Sequence, residues 1–238
     1  MRQLKIIRLT IHKMLRNLHT FVRWGLLAAA TGLVIGGFST LFAASLRFVT
    51  DFRTERPWMI FFLPLAGIFI VFLYGLFQYK NDKGTNMVLS TIHAETELPF
   101  KMAPLIFIST VITHLFGGSA GREGAALQLG GSIGNQLGRW FRLDDRDRRI
   151  LVMCGMSAAF SAIFGTPIAA VVFAMEVVSV GVMYYAALVP CVFASLISFK
   201  VANHMGIGPN VFHLLDVPSF QLLPSIKVIV LAMLCAGL

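Results

Sequence analysis

The chain has 238 residues, of which 57% are hydrophobic and only 13% are charged, and its mean hydropathy is +0.77. A soluble protein of this length needs far more polar surface than this composition supplies, so the soluble class is excluded. The net charge of +9 resembles that of a nucleic-acid-binding protein, but the distribution of the basic residues argues against nucleic acid as a partner.

Residues 1–24 contain six Lys or Arg and no acidic residue. Apolar side chains recur there near helical spacing, which predicts a basic amphipathic helix on a membrane surface. A basic flank before the first span also predicts a cytoplasmic N-terminus. The segment is too long in its basic region for a cleavable signal peptide. We therefore expect a multi-pass protein of the cell membrane, with the lipid bilayer as its surroundings.

Two membrane spans are predicted after this basic segment. A helix needs roughly 20 apolar residues to cross the hydrocarbon, and this length is met at 24–49 and again at 57–79, with a charged loop at 50–57 between them. Residues 84–99 are too polar to cross, whereas residues 100–116 are apolar enough to run deep. The chain is thus predicted to be an all-α polytopic membrane protein.

The second part of the chain is more interrupted. A cluster of arginines and aspartates at 139–149 predicts a solvated loop with local ion pairs. The apolar stretches 150–164 and 166–180 are separated by a Gly-Thr-Pro break. A further span is predicted at 183–202, then a polar connection and a last apolar segment that runs to residue 238. Short apolar segments interrupted by glycine are typical of transporters, whose helices break inside the membrane.

The stretch GGSAGREGAALQLGGSIG, residues 117–134, predicts a helix that begins near Gly121 or Arg122 at membrane depth. The first N–H groups of a helix have no partner within it, and the helix dipole adds positive potential, so this end is an anion site. Glu123 lies in the first turn. A tethered carboxylate competes with a free anion, and protonation removes that competition. One side chain would then handle both an anion and a proton.

A structural interpretation of the same stretch is that Glu123 caps the helix and the glycines allow close packing. We accept packing for Gly130, Gly134 and Gly138, whose Gly-x-x-x-Gly spacing lets helices touch. For Glu123 we favour the functional interpretation, because an ionisable residue within a membrane segment marks a functional site. Composition leaves open whether Glu176, a second lone acid, carries protons or makes a structural hydrogen bond.

Enzymatic and metal-binding functions have little support. Cys154, Cys191 and Cys235 lie far apart in apolar segments and are predicted to be small buried packing residues. No His–carboxylate–nucleophile set is placed around a pocket, and GREG lacks the ending of a phosphate-binding loop. We expect no enzyme activity, no metal and no cofactor.

The segments GREGAALQLGGSIG and CGMSAAFSAIFGTPIAAVVFAMEVV, together with KGTNM, resemble the motifs of the CLC chloride channel and transporter family. The resemblance covers the chain as the N-terminal half of that family. It implies a fold of broken, re-entrant helices in two inverted repeats, and a homodimer. Residues 1–24 would be the cytoplasmic helix, 25–205 the first repeat, and 206–238 a connection and the start of a second repeat whose remainder is missing.

The resemblance also assigns the site. Glu123 matches the family's gating glutamate, which alternates with the anion and carries a proton. The anion would bind at the two helix starts, with these candidate residues: Gly84, Thr85, Asn86, Met87, Gly121, Arg122, Gly124 and Ala125.

Three departures from the family pattern favour its fluoride/proton antiporter branch, CLC-F. Ala125 replaces the usual Pro, and the segment GTNMV at 84–88 replaces one that carries an anion-binding Ser. Val177 stands where many chloride/proton exchangers have a second acid. An Asn amide at 86 can supply donors that replace the water of strongly hydrated fluoride.

The sequence thus predicts fluoride export coupled to proton import. One alternative is a CLC-type chloride channel or chloride/proton exchanger. Another is a non-transporting half-subunit, because the Gly-x-Phe-x-Pro helix start and the anion-binding Tyr of the family's second half do not occur in the chain.

Overall fold

The computed structural model describes residues 2–77, 79, 84–92, 98–177, 184–207 and 222–237 of the chain, with the side chains of 2–12, 91 and 92 left aside. Every regular element in these residues is helical, as predicted. Short 3-10 turns at Pro57–Phe62 and Tyr185–Ala187 lead into two of the helices. The α-helices are α1 Arg2–Thr54, α2 Leu63–Leu76, α3 Thr85–Ile92, α4 Met102–Leu115, α5 Glu123–Trp140, α6 Asp145–Phe164, α7 Pro167–Glu176, α8 Leu188–His204 and α9 Leu222–Ala236.

Two predicted boundaries were wrong. The predicted surface helix at 1–24 and the first span form one continuous helix, α1, which also takes in residues 50–54 of the predicted loop. No Gly or Pro precedes Gly25, so nothing in the backbone interrupts the helix there. In the predicted loop at 139–149, α6 already begins at Asp145, because the Asp144 carboxylate accepts a hydrogen bond from the Asp147 N–H at 2.7 Å.

Among the described residues, three helical stretches are long and apolar enough to cross a membrane, at Lys13–Thr54, Pro57–Leu76 and Tyr185–His204. Arg23 and Arg53 lie near the two ends of the apolar part of α1. Arg23 pairs with Asp147 at the start of α6, at 3.1 Å, and Arg53 lies 30 residues further along, about 45 Å at 1.5 Å per residue. That length matches a bilayer with its headgroup regions. We call the two sides the Arg23 face and the Arg53 face.

The closest helix contact in the core joins α5 to α6. A β-carbon on Gly130 would collide with the Gly155 carbonyl oxygen, and one on Gly134 would lie 2.6 Å from the Leu151 carbonyl oxygen. A β-carbon on Gly138 would lie 2.8 Å from the Arg148 side chain. These glycines therefore pack the two backbones together, which confirms the packing interpretation. As a result α6 is buried along most of its length.

Serine hydroxyls form hydrogen bonds between α6 and α8. Ser161 donates to the Ser195 carbonyl oxygen and Ser198 donates to the Ala158 carbonyl oxygen, each at 2.7 Å. Both hydroxyls are buried, so these bonds satisfy polar atoms that water cannot reach. Helix α6 is thus held between α5 and α8, and the position of its last turn is fixed by both neighbours.

The cysteines follow the sequence prediction in part. Cys154 and Cys191 are buried, as predicted, but they are neighbours across the α6–α8 contact with their sulfur atoms 3.9 Å apart. Cys235 is exposed, contrary to the prediction, because α9 buries none of its residues against the described part of the chain.

We expect Gly130→Leu to disrupt the fold, because the added side chain meets the α6 backbone, which is rigid and cannot move aside. Overpacking of this kind costs at least about 2–3 kcal/mol. The matched control is Gly37→Leu, since a β-carbon at that helical glycine meets nothing within 4 Å. The yield of monodisperse protein on size-exclusion chromatography should fall for the first variant alone; equal yields would contradict the packing described here.

Candidate functional site

Two helix ends meet inside the molecule. Helix α5 begins at Glu123, one or two residues from the predicted start, and α6 ends at Phe164. Gly165 closes α6 in the left-handed conformation, at φ 71°, and Pro167 starts α7. From the Gly130–Gly155 contact, seven residues back along α5 reach Glu123 and seven residues on along α6 reach Ala162. The antiparallel register therefore brings the break after α6 to the level of Glu123.

An open pocket of about 540 Å³ occupies this level. The Glu123 side chain is exposed in it, and its carboxylate is turned back over Gly121: a β-carbon on Gly121 would lie 2.8 Å from Glu123 Oε2. Within the described residues no group of three His, Cys, Asp or Glu side chains is placed to bind a metal ion. The lining residues are Ala120, Gly121, Arg122, Glu123, Ile163, Phe164 and Thr166.

The length and direction of α5 bear on the depth of its first residue. Trp140 ends α5 five residues before α6 begins, and the first turn of α6 is paired to Arg23, so the C-terminal end of α5 lies at the Arg23 face. The 18 residues of α5 span about 27 Å. In a bilayer of about 45 Å, a helix of that length along the membrane normal would carry Glu123 past the headgroups, which is the depth expected from the sequence.

The start of α3 contacts the start of α5. Gly84 has φ 58° and turns the chain into α3, whose first residue is Thr85. The Thr85 Cγ2 methyl lies 3.1 Å from the position of a β-carbon on Gly124. The starts of the two helices therefore lie next to each other. Their positive potentials add at this point.

The structure brings the predicted site residues together in two adjacent groups, one from each helix start. Glu176 lies at the other end of α7, is exposed, and is not among the residues that line the pocket. The predicted anion-site residues differ in exposure: Asn86 and Gly121 are exposed, Gly84, Thr85, Met87, Arg122 and Gly124 are half-buried, and Ala125 is buried.

Two residues near the site were missed by the sequence analysis. Thr166 lines the pocket opposite Glu123, and its side chain makes no capping hydrogen bond to α7. Gln128 is buried, and its Nε2 lies 3.9 Å from the position of a β-carbon on Gly84. One signal for Gln128 was present: it follows Gly124 by four residues, so both lie on one face of α5.

Comparison with known proteins identifies similar chains. The sequence profile of the family described as "Voltage gated chloride channel" matches residues 66–238. A "Chloride/fluoride channel protein" of Pseudomonas syringae pv. tomato is 39% identical over 217 residues, which are 91% of this chain and 48% of that protein. An "H(+)/Cl(-) exchange transporter ClcA" of Cronobacter sakazakii is 27% identical over 216 residues, covering 83% of this chain and 46% of the relative.

Solved structures show the same architecture. A crystal structure of a CLC-type fluoride/proton antiporter superposes with a TM-score of 0.81 at 34% identity, over 90% of this chain and 54% of that one. A slow cyanobacterial Cl⁻/H⁺ antiporter superposes with a TM-score of 0.70 at 20% identity, over 87% of this chain and 52% of that one, and shows the fold alone. The chain thus spans about half the length of the relatives it matches.

We expect the double variant Thr85→Cys/Gly124→Cys to form a disulfide under mild oxidation. The Thr85 Cγ2 methyl lies 3.1 Å from the position of a β-carbon on Gly124, and Thr85 Cβ is one bond from that methyl, so the two β-carbons can reach the separation of about 3.5–4.5 Å that a disulfide spans. The native cysteines are replaced by alanine, and the cross-linked peptide is detected by mass spectrometry after proteolysis. Thr85→Cys/Ala125→Cys is the control, because Ala125 is buried and its side chain leaves the helix about 100° away from that of Gly124. Equal cross-linking in both would contradict the contact.

Proposed function

The chain belongs to the voltage-gated chloride channel family, and on this premise we propose that it forms part of a membrane pathway that exports fluoride in exchange for protons. The observation that carries the proposal is the position of Glu123. Its carboxylate lies at the N-terminus of α5 and faces an open pocket. We place it within the hydrocarbon region, from the length of α5. A charge at that depth is costly, and its retention there indicates a role in ion movement.

The proposed mechanism uses competition for one positive potential. The unpaired N–H groups of the first α5 turn attract an anion, and the ionised Glu123 carboxylate occupies the same field. A free anion enters when the carboxylate is displaced. Protonation removes the negative charge of Glu123, so the neutral acid no longer competes and can move away. A proton and an anion are then exchanged through alternate states of one side chain.

The segment at the start of α3 supports fluoride as the anion. Fluoride is small and strongly hydrated, so its site needs strong hydrogen-bond donors to replace the lost water. Asn86 is exposed in the first turn of α3, so its amide is free to face an anion there. The relatives whose names include fluoride are 39% and 34% identical to this chain, above the 27% and 20% of the two named for chloride/proton exchange.

We place the Arg23 face in the cytoplasm, since residues 1–24 are basic and precede the first span. Protons then enter from the Arg53 face, and fluoride leaves toward it. We also propose that the protein acts as a homodimer. The basis for this is the family resemblance, since exposed apolar side chains such as Ile168, Val172 and Val189 can face lipid as well as a second subunit.

The direct test is efflux from liposomes loaded with fluoride or with chloride. Two preparations are compared: the chain itself, and a chimera that continues after Ala236 with the matching second half of the Pseudomonas syringae relative. Fluoride efflux with opposite proton movement supports the proposal. Chloride efflux as fast as fluoride efflux favours a chloride channel or exchanger instead. Flux in the chimera alone shows a half-subunit that needs a partner, and no anion flux in either overturns the proposal.

We expect Glu123→Gln to uncouple the two ions, because a neutral amide cannot titrate and no longer competes as an anion. Fluoride flux should persist while proton movement falls to the background of empty liposomes. The matched control is Glu55→Gln, which removes an exposed carboxylate that pairs with Arg56 outside the pocket. Proton movement that continues alongside fluoride flux in the Glu123→Gln variant would contradict the mechanism.

A further inference from the structure

The buried amide of Gln128 is not explained by packing alone. The residue is 6% exposed, and its Oε1 is shielded from solvent and meets no donor among the described residues. A buried acceptor without a donor is rare in native proteins, and it commonly marks the position of a ligand or of a bound water. The amide therefore needs a partner that the described part of the chain does not supply.

The position of the amide points to the site already described. Gln128 lies one turn along α5 from Gly124, on the face that contacts α3. Its Nε2 lies 3.9 Å from the position of a β-carbon on Gly84, the residue that turns the chain into α3. The amide therefore lies beside the convergence of the two helix starts, on the side nearer the Arg23 face.

The local charge restricts which group can pair with the Gln128 amide. Two helix N-termini make the local potential positive, which disfavours a cation and favours an anion. An amide carries two donors and one acceptor. The donors suit an anion, whereas the acceptor needs a neutral group with a hydrogen to donate. A protonated carboxyl is such a group, and Glu123 is the carboxylate in the adjoining pocket.

The helix geometry allows this meeting. Glu123 and Gln128 are five residues apart on α5, a rise of about 7.5 Å and a rotation of about 140° around the helix axis, so Glu123 must swing across the open first turn of α5 to reach the amide. In this structure the Glu123 carboxylate is turned back over Gly121, away from Gln128. A carboxyl that leaves this position and turns along α5 toward the Arg23 face approaches the amide.

We propose that Gln128 is a further residue of the anion site: its Nε2 donates to the bound anion, and its Oε1 accepts a hydrogen bond from protonated Glu123 when that carboxyl leaves Gly121. The inference rests on the proposed function. No bond other than hydrogen bonds forms or breaks in this step, because the proton stays on Glu123 and the amide stays neutral. Gln128 thus stabilises the proton-loaded state of the site while it holds the anion.

Two other buried side-chain oxygens on α5 can be compared with Gln128 Oε1. Ser132 Oγ and Asn135 Oδ1 also meet no partner among the described residues. Asn135 has a structural task, since its Nδ2 donates to the Leu98 carbonyl oxygen at 2.6 Å. Ser132 lies one turn beyond Gln128 and further from the helix starts. It is a matched control because it is equally buried and polar.

The test compares Gln128→Met with Ser132→Ala in the liposome assay. Both substitutions are made in the preparation, chain or chimera, that transports an anion without substitution. Methionine keeps the length of the side chain and removes its hydrogen bonds. We expect the half-saturating fluoride concentration to rise about tenfold or more, as for loss of a hydrogen bond to a charged group. The proton-to-fluoride ratio should also fall. Ser132→Ala should change neither quantity.

Gln128→Glu provides a second variant of nearly the same shape, whose carboxylate repels the anion. We expect a larger rise in half-saturating fluoride than for Gln128→Met. Should Gln128→Met fail to fold, judged by size-exclusion chromatography, a rise for Gln128→Glu relative to the unsubstituted protein, with no rise for Ser132→Ala, carries the test. Wild-type half-saturation and coupling in a folded Gln128 variant would overturn this inference while leaving the proposed function intact. Absence of anion flux in both the unsubstituted chain and the unsubstituted chimera would overturn this inference and the proposed function.

Discussion

The backbone contact between Gly130 and Gly155 is the constraint on which the site depends. With no side chain at either position, α5 and α6 approach until a carbonyl oxygen of one meets the backbone of the other. That contact fixes the antiparallel register of the pair. The register in turn places the first residue of α5 beside the last turn of α6, where Gly165 and Pro167 break the chain. Bulkier residues at the contact would separate the helices and the two halves of the pocket with them.

Broken helices inside a bilayer have a cost that the fold must offset. Each helix end leaves backbone groups without partners, and hydrocarbon offers none. In this chain the start of α3 contacts the start of α5, and the last turn of α6, whose free groups are carbonyls, lines the pocket beside Glu123. In the mechanism proposed above, the positive potential at the start of α5 is what attracts the anion. Glu123 offsets part of the cost when no anion is present, because its carboxylate occupies the same field.

The sequence predicted the elements that depend on local chemistry. Glycines before Glu123 and the Gly-Thr-Pro break indicated the start of α5 and the end of α6, because these residues act on their own backbone. The errors came where local and tertiary signals compete. The charged cluster at 139–149 is typical of a loop, yet Asp144 caps a helix that packing against α5 then extends. Thr166 and Gln128 could not be assigned, since their importance arises from contacts between segments distant in the chain.

The pocket combines one titratable carboxylate with neutral polar groups. Of its lining residues, Glu123 is the acid, Arg122 carries a fixed positive charge, and Thr166 is neutral. Two carboxylates in one positive field would share it, and one of them would hold a proton without any anion present. With a single carboxylate, the proposed mechanism fills the field either with Glu123 itself or with a free anion. Val177 lies at the far end of α7 and does not line this pocket, so the single carboxylate follows from the pocket's own lining residues and not from the absence of an acid at 177.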